Sequence, residues 1–171
     1  MTASRIILVA TAACGLMLVT GCSSDRVAKL RAALDQSTVS LADSVKTAEV
    51  SFAGSVARRA ELDVAPQQAV YAVNAQDSAK LRELRIDILK GQVLQSADLG
   101  GSSTDACPGS IPLDKAIAIA EAQVNGKAVL VQPDDDDACD REVQVLVDST
   151  LWEVKVAPSG SVLEVEESDD D

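Results

Sequence analysis

The sequence predicts an α+β protein made of two small repeated units, each a helix packed on one face of a three- to four-stranded antiparallel sheet. Valine-rich segments with alternating polarity follow two helix-like stretches, which indicates a sheet after each helix. The two stretches share a template repeated 72 positions later. The matching positions are Leu41, Val45, Ala48, Glu49, Phe52 and Gly54 in the first unit, and Leu113, Ile117, Ala120, Glu121, Val124 and Gly126 in the second.

The first unit is expected over residues 39–97 and opens with a helix over residues 40–52. Its apolar residues fall at i, i+4, i+7 and i+11, the spacing of a helix with one buried face. Ser40 and Asp43 resemble a capping box, in which a hydroxyl accepts from first-turn amides and an acid favours the positive helix end. Gly54 stands where this helix should end.

Three strands are expected after the first helix, over residues 55–63, 70–74 and 80–86. Pro66 and Asp77 mark the turns between them. A tight turn at Gly91 then precedes Val93 and Leu94. The first unit should therefore form a small antiparallel sheet.

A cluster of Gly, Ser and Thr at residues 100–104 predicts a linker, placed over residues 98–110, before a second unit over residues 111–167. Pro112 suits a helix start, where its missing amide costs nothing. The strands of the second unit are expected at residues 128–132, 142–147, 151–157 and 162–166. In the third of these, valines alternate with Glu153 and Lys155, which indicates a sheet with one solvated face.

The first 21 residues have the composition of a signal peptide. The apolar run from Ile6 to Val19 is shorter than the roughly 20 residues that a spanning helix needs. Small residues stand directly before Cys22, which resembles the acylation site of a bacterial lipoprotein. The resemblance implies a diacylglyceryl group, with acyl chains such as palmitate, that anchors Cys22 to the extracytoplasmic face of the cell membrane. An ordinary secretory peptide is the alternative.

Residues 22–38 are predicted to be a tether, and residues 168–171 an acidic tail. Within the tether, Val27, Leu30 and Leu34 have the spacing of a short amphipathic helix. Such a short helix is marginal on its own. It is expected to rest on the first unit, on lipid headgroups, or on nothing.

The charge balance excludes nucleic acid and anionic lipid surfaces as partners. The full chain has a net charge of -12, and loss of Arg5 with the signal peptide leaves 27 acids against 14 bases, or -13. Both excluded partners require clustered Lys and Arg. The lipid anchor, rather than charge, should hold the protein to the membrane.

Cys107 and Cys139 are predicted to form a disulfide. Cys14 is lost with the signal peptide and Cys22 is acylated, which leaves one pair in an exported, oxidising environment. The alternatives are two free thiols or a metal pair. No histidine or further cysteine is present to complete a zinc site.

The sequence predicts neither an enzyme nor a bound cofactor or metal. It contains no histidine, so Ser-His and Cys-His nucleophiles are absent, and no phosphate-binding loop occurs. Asp134 to Asp137, with Asp140, form the one dense acidic cluster. A solvated loop is the favoured interpretation, with weak calcium binding as the minority alternative.

The three aromatic residues of the mature chain, Phe52, Tyr71 and Trp152, are expected to pack between helix and sheet rather than to form a recognition surface. A core with so few aromatic residues is thin. Domains of about 60 residues are marginally stable. The two units are therefore expected to pack on each other or on a partner.

The order of helix, glycine, strand, aromatic strand and glycine turn resembles the PepSY family of peptidase propeptides and envelope proteins. The second unit differs through a shorter last turn without an acid matching Asp87, and through an extra strand and an acidic loop. The resemblance is carried by Leu41, Val45, Ala48, Gly54, Tyr71, Val73, Leu84, Ile86, Asp87 and Gly91, and by Leu113, Ala116, Ile117, Ala120, Gly126, Trp152, Val154, Val156, Gly160 and Val162.

This resemblance implies a membrane-anchored binding or regulatory lipoprotein that modulates or inhibits a cell-envelope peptidase. A calcium or ligand sensor centred on the acidic loop is an alternative from another class. A structural spacer is the third possibility. The sequence itself does not identify the protein partner.

Overall fold

The computed structural model describes residues 22–65, 68–78, 80–101, 107 and 109–168. The predicted signal peptide, part of the predicted linker and residues 169–171 of the predicted tail lie outside the described residues. The side chains of residues 22–24 lie outside the description as well.

Within the described chain, a leading helix is followed by two runs of one helix and four strands. The helices are α1 (Cys22–Gln36), α2 (Leu41–Ser51) and α3 (Leu113–Val124). The strands are β1 (Val56–Val64), β2 (Ala69–Gln76), β3 (Leu81–Asp87), β4 (Val93–Asp98), β5 (Lys127–Pro133), β6 (Arg141–Val147), β7 (Thr150–Val156) and β8 (Val162–Glu167). The predicted α+β class is confirmed.

The strands form one continuous eight-stranded sheet in the order β4-β3-β2-β1-β5-β6-β7-β8. The halves join through antiparallel pairing of β1 with β5, with Ala60 opposite Val131 and Glu61 opposite Leu130. The expectation of separate sheets of three to four strands is therefore wrong. Pairing β1 with β5 satisfies backbone groups that two separate sheets would leave open at their edges.

Strand β4 corrects a second expectation. It pairs with β3, so the first half has four strands, as the second half does. The second half therefore has no extra strand. The sequence indicated β4 only through Val93 and Leu94, because the polar residues Gln95 and Ser96 that follow do not continue an alternating pattern.

Helices α2 and α3 pack on the same face of the sheet and contact each other. Their inner residues Leu41, Val45, Leu113 and Ile117 are buried in one core. Strand alternation turns Ala60 and Leu62 toward this core, while the other sheet face carries neither α2 nor α3.

The two core helices begin and end differently. At the start of α2, the Ser40 Oγ accepts a hydrogen bond from the Asp43 backbone N–H at 3.1 Å, which confirms the predicted cap. Pro112 precedes α3 and provides no side-chain cap. Beyond α3, the left-handed residue is Asn125, with φ of 56°, rather than Gly126.

The predicted tether contains α1, which is docked on the rest of the fold. Leu30, Ala33 and Leu34 are buried in the shared core. Arg31 reaches the second half, where its Nη1 donates to the Asp148 backbone oxygen at 2.5 Å. Of the alternatives left open for this helix, the structure shows docking on the fold, on both halves rather than on the first unit alone. Burying an apolar stripe stabilises a helix that would be marginal alone.

Of the three aromatic residues in the mature chain, Tyr71 is fully buried, while Phe52 and Trp152 are partly buried. The Tyr71 hydroxyl donates to the Val39 backbone oxygen at 2.9 Å. Burial raises the pKa of this hydroxyl. The Arg82 guanidinium lies over the Phe52 ring, 4.7 Å from its centroid.

Candidate functional site

The sheet face opposite α2 and α3 carries a groove of about 660 Å³, which we call the open-face groove. Its floor lies where β1 meets β5, and α1 contributes one wall. The groove is within the volume range of ligand-binding clefts. Its lining residues are Arg26, Leu30, Arg59, Glu61, Leu62, Asp63, Val64, Val129, Leu130, Gln132, Asp135, Glu142, Gln144 and Glu153.

Strand alternation explains the polar lining of the open-face groove. In β1, Ala60 is completely buried in the core, so its neighbours Arg59 and Glu61 lie on the opposite face. Glu61 is paired with Leu130 of β5, which places both side chains on this face. Gln144 of β6 is the partner of Leu130 on its other side. Three adjacent strands thus form the floor.

Ion pairs and hydrogen bonds order the open-face groove. The Arg59 Nη2 lies 2.8 Å from the Glu61 Oε2, and Asp63 forms an ion pair with Arg85. The Gln132 Nε2 donates to the Glu142 Oε1 at 3.2 Å. Five carboxylates and two guanidinium groups line the groove, so its net charge is negative.

The acidic loop between β5 and β6 is folded around Asp134 rather than fully solvated. The Asp134 Oδ1 accepts from the backbone N–H groups of Asp136 and Asp137 at 3.0 and 2.9 Å. Its Oδ2 lies 3.0 Å from the Lys155 Nζ. Asp134 is 7% exposed, whereas Asp135, Asp136 and Asp137 are exposed.

The surroundings of this loop shift the pKa values of two of its carboxyl groups in opposite directions. Burial acts to raise the pKa of Asp134, but the Asp137 amide, Lys155 and the Asp136 amide outweigh it and hold that pKa below its ordinary value. Burial and the neighbouring carboxylates raise the pKa of Asp140. Among the described residues, no group of three or more Asp, Glu or Cys side chains is placed to hold a metal ion.

Cys107 and Cys139 form a disulfide, as predicted, with their Cα atoms 5.1 Å apart and a sequence separation of 32. The bridge ties the acidic loop to the segment before α3. Beside it, the buried Arg141 donates to the Ser110 Oγ at 2.5 Å and to the Ala138 backbone oxygen at 3.2 Å. The loop is therefore fixed by a covalent bond and by a buried guanidinium.

Cys22, the predicted acylation site, is the first residue of α1. Its side chain lies outside the described atoms, so acylation stays a prediction. In the described part of the chain, none of the helices has both the length and the apolar character needed to cross a membrane.

Most of the groove residues were not singled out by the sequence; Asp135, in the predicted acidic cluster, is an exception. Their signal was the alternation of charged and apolar residues along β1, which marks a solvated sheet face. This alternation within β1 carries no information about which strands lie beside it, so it could not indicate that β5 and β6 are neighbours. The residues that the sequence did single out, Cys107, Cys139 and Asp134, lie together at the acidic loop instead.

Comparison with known proteins establishes no family for this chain. No family model matches it, so the PepSY resemblance stays a hypothesis. No curated protein matches it either. The chain is similar to a solved structure of a candidate lipoprotein from Clostridium difficile 630, at 19% identity over 77% of this chain and 95% of that chain, with a TM-score of 0.48. This likeness is too weak to support an inference.

Proposed function

We propose that this protein is an extracytoplasmic lipoprotein that binds another protein of the cell envelope through the open-face groove. The observation that carries the proposal is the groove itself, about 660 Å³ in volume and lined by ionic side chains of both signs. Such side chains offer a partner hydrogen bonds and ion pairs of defined geometry.

The proposed location is the extracytoplasmic face of the cell membrane, with the chain anchored through acylated Cys22. The small residues before Cys22 support acylation. The disulfide between Cys107 and Cys139 supports export, because disulfides persist in oxidising compartments.

The partner that we propose is an envelope peptidase, whose activity the lipoprotein restrains. This choice is supported by the resemblance to PepSY propeptides, and a fold-level resemblance is an analogy for function. The proposal assigns this chain no catalytic step. Its role is to bind.

We also propose that residues 39–97 and 111–167 are two copies of one unit. Equivalent glutamates support this idea: the Glu49 Oε1 accepts from the Ala57 N–H at 3.0 Å, and the Glu121 Oε1 accepts from the Ala128 N–H at 2.9 Å. A β-bulge directly follows Ala57 in the first half and Ala128 in the second half.

Site-specific photo-crosslinking tests the binding role. A photo-reactive residue at Gln132, in the groove, should capture an envelope protein in living cells. The same residue at Val50, which is 81% exposed on α2, is the matched control and should capture none. Purified lipoprotein should then slow proteolysis by a captured peptidase. Capture from neither position would remove the proposal and favour the structural spacer.

Calcium titration tests the sensor alternative. Asp134 already binds Lys155 and two backbone amides, so we expect neither binding heat nor a shift of the melting temperature at millimolar calcium. A shift that disappears in Asp134→Asn would favour the sensor.

A further inference from the structure

We infer that α1 presents the open-face groove to the membrane surface, and that the groove takes a basic, extended segment of a membrane-embedded protein. The inference deepens the proposed function and rests on its lipid anchor.

Helix α1 has a fixed direction relative to the sheet. Leu30 and Leu34 are only 3% and 6% exposed, within the core. Arg31 donates to the Asp148 backbone oxygen at 2.5 Å. After α1, the Thr38 N–H donates to the Ile88 backbone oxygen at 3.0 Å. Contacts with both halves of the sheet therefore hold the helix in place.

The predicted anchor, Cys22, lies a short distance from the groove. Cys22 begins α1, and Arg26, four residues later, lines the groove. A helix rises about 1.5 Å per residue, so the two residues are about 6 Å apart along the axis. With Cys22 acylated at the membrane surface, the groove lies close to the headgroups. No flexible linker separates it from them.

The open-face groove carries an excess of negative charge. Glu61, Asp63, Asp135, Glu142 and Glu153 face two arginines there. A concave site lined by one excess charge concentrates ions of opposite sign. Anionic headgroups are repelled by this lining, whereas a segment that bears lysine or arginine is attracted. The groove thus fits a basic protein segment at the membrane surface.

Peptide binding tests the chemistry of the occupant. The probe is a peptide of alternating lysine and glycine, titrated onto the acylated protein in detergent at low salt. We expect binding that weakens with salt, and about five-fold weaker binding in Glu61→Gln and in Glu153→Gln, the size of one partly exposed charge pair. Glu167→Gln is the matched control, because Glu167 is exposed on β8, opposite Trp152.

The peptide experiment has two results that would overturn the inference. One is the absence of binding. The other is an equal loss in Glu167→Gln and in the groove variants, which would indicate attraction to the overall negative charge. Comparable binding of vesicles rich in phosphatidylglycerol, without peptide, would identify a lipid occupant and also overturn it.

Fluorescence quenching tests the orientation. The acylated protein is inserted into vesicles that carry a quencher on the lipid headgroups, with a fluorophore on a cysteine at position 132 or, as control, at position 50. We expect stronger quenching at position 132. Equal quenching, or stronger quenching at position 50, would contradict the membrane-facing groove.

The intact mass of the native protein, together with the crosslinking and peptide results, distinguishes failure of the lipid anchor from failure of the basic-segment assignment. An intact mass without acyl groups removes the anchor and the membrane orientation together. If acylation is present and cells yield a crosslinked partner, but the lysine peptide does not bind, the binding role stands and the basic segment is excluded.

Discussion

Gly54 and Gly126 stand at equivalent places after α2 and α3, but they are required for different physical reasons. Gly54 adopts a positive φ of 83°, and a Cβ there would meet nothing within 4 Å. Gly126 does not need a positive φ, because Asn125 takes that role in the second half. A Cβ on Gly126 would instead lie 2.6 Å from the Leu146 backbone oxygen.

A shared sequence pattern can therefore preserve a fold while the local cause changes. The first half uses glycine for a left-handed turn, which residues with a Cβ disfavour. The second half uses it for close backbone packing between the helix end and β6. The two halves also differ in covalent support, since the disulfide ties a loop of the second half to the segment before α3, whereas residues 39–97 contain no cysteine.

The largest expected effect follows from removing that disulfide. Cys107→Ala with Cys139→Ala should lower the free energy of unfolding by about 3 to 4 kcal/mol, because a loop of this length is no longer closed in the unfolded chain. Denaturant unfolding measures the loss, and hydrogen exchange should locate the faster opening in β5–β8. Equal acceleration in both halves would indicate that the bridge supports the whole sheet.

The next effect separates the two glycines. Gly126→Ala should destabilise the fold by about 1 to 3 kcal/mol through overpacking, and Gly54→Ala by about 1 kcal/mol through backbone strain. Asparagine tolerates the left-handed region. Gly54→Asn should therefore be more stable than Gly54→Ala, whereas Gly126→Asn should not be more stable than Gly126→Ala. The midpoints of thermal and denaturant unfolding provide the measurement. Recovery at both positions would contradict this account.

The glutamate pair should behave alike in the two halves. Glu49→Ala and Glu121→Ala each leave the amide of a buried alanine in the first strand without its acceptor, at a cost of about 1 to 2 kcal/mol. Glu49→Gln and Glu121→Gln retain an oxygen acceptor and should cost less. Denaturant unfolding measures both losses. A large loss of unfolding free energy at one position and none at the other would contradict the equivalence of the two halves.

The smallest effect is a pH dependence confined to the second half. The pKa of Asp134 is held below its ordinary value, so its contribution to stability is complete above the unfolded pKa, near 4, and is lost as pH falls through the folded pKa. Asp134→Asn should therefore flatten the loss of stability below about pH 4. Unfolding midpoints over a pH series measure this slope. An unchanged slope would show that other carboxyls dominate.

Local features of the fold were predictable because their causes lie within a few residues. The apolar spacing around Val45 and Ile117, the cap at Ser40 and the pairing of Cys107 with Cys139 all belong to this group. Strand β4 was indicated only weakly, because Gln95 and Ser96 give no alternating signal.

The joined sheet and the groove depend on contacts distant in sequence. Nothing near Glu61 or Leu130 indicates that they lie on paired strands, since 69 positions separate them. The docking of α1 has the same origin: Leu30 and Leu34 have helical spacing, but their burial requires both halves of the sheet. The acidic groove follows from these long-range pairings and could not be predicted before them.

The pairing of β1 with β5 is the feature on which the fold and the groove both depend. The most direct test is a disulfide between Glu61→Cys and Leu130→Cys, two positions that face each other across the seam, in a mature chain that carries Cys22→Ser. Mass spectrometry of the oxidised, folded protein should find this crosslink formed. The control, Glu61→Cys with Gln132→Cys, uses diagonal positions whose Cα atoms are about 7 to 8 Å apart, which is too far for a relaxed disulfide. Two free thiols at positions 61 and 130 in the folded protein would contradict the joined sheet.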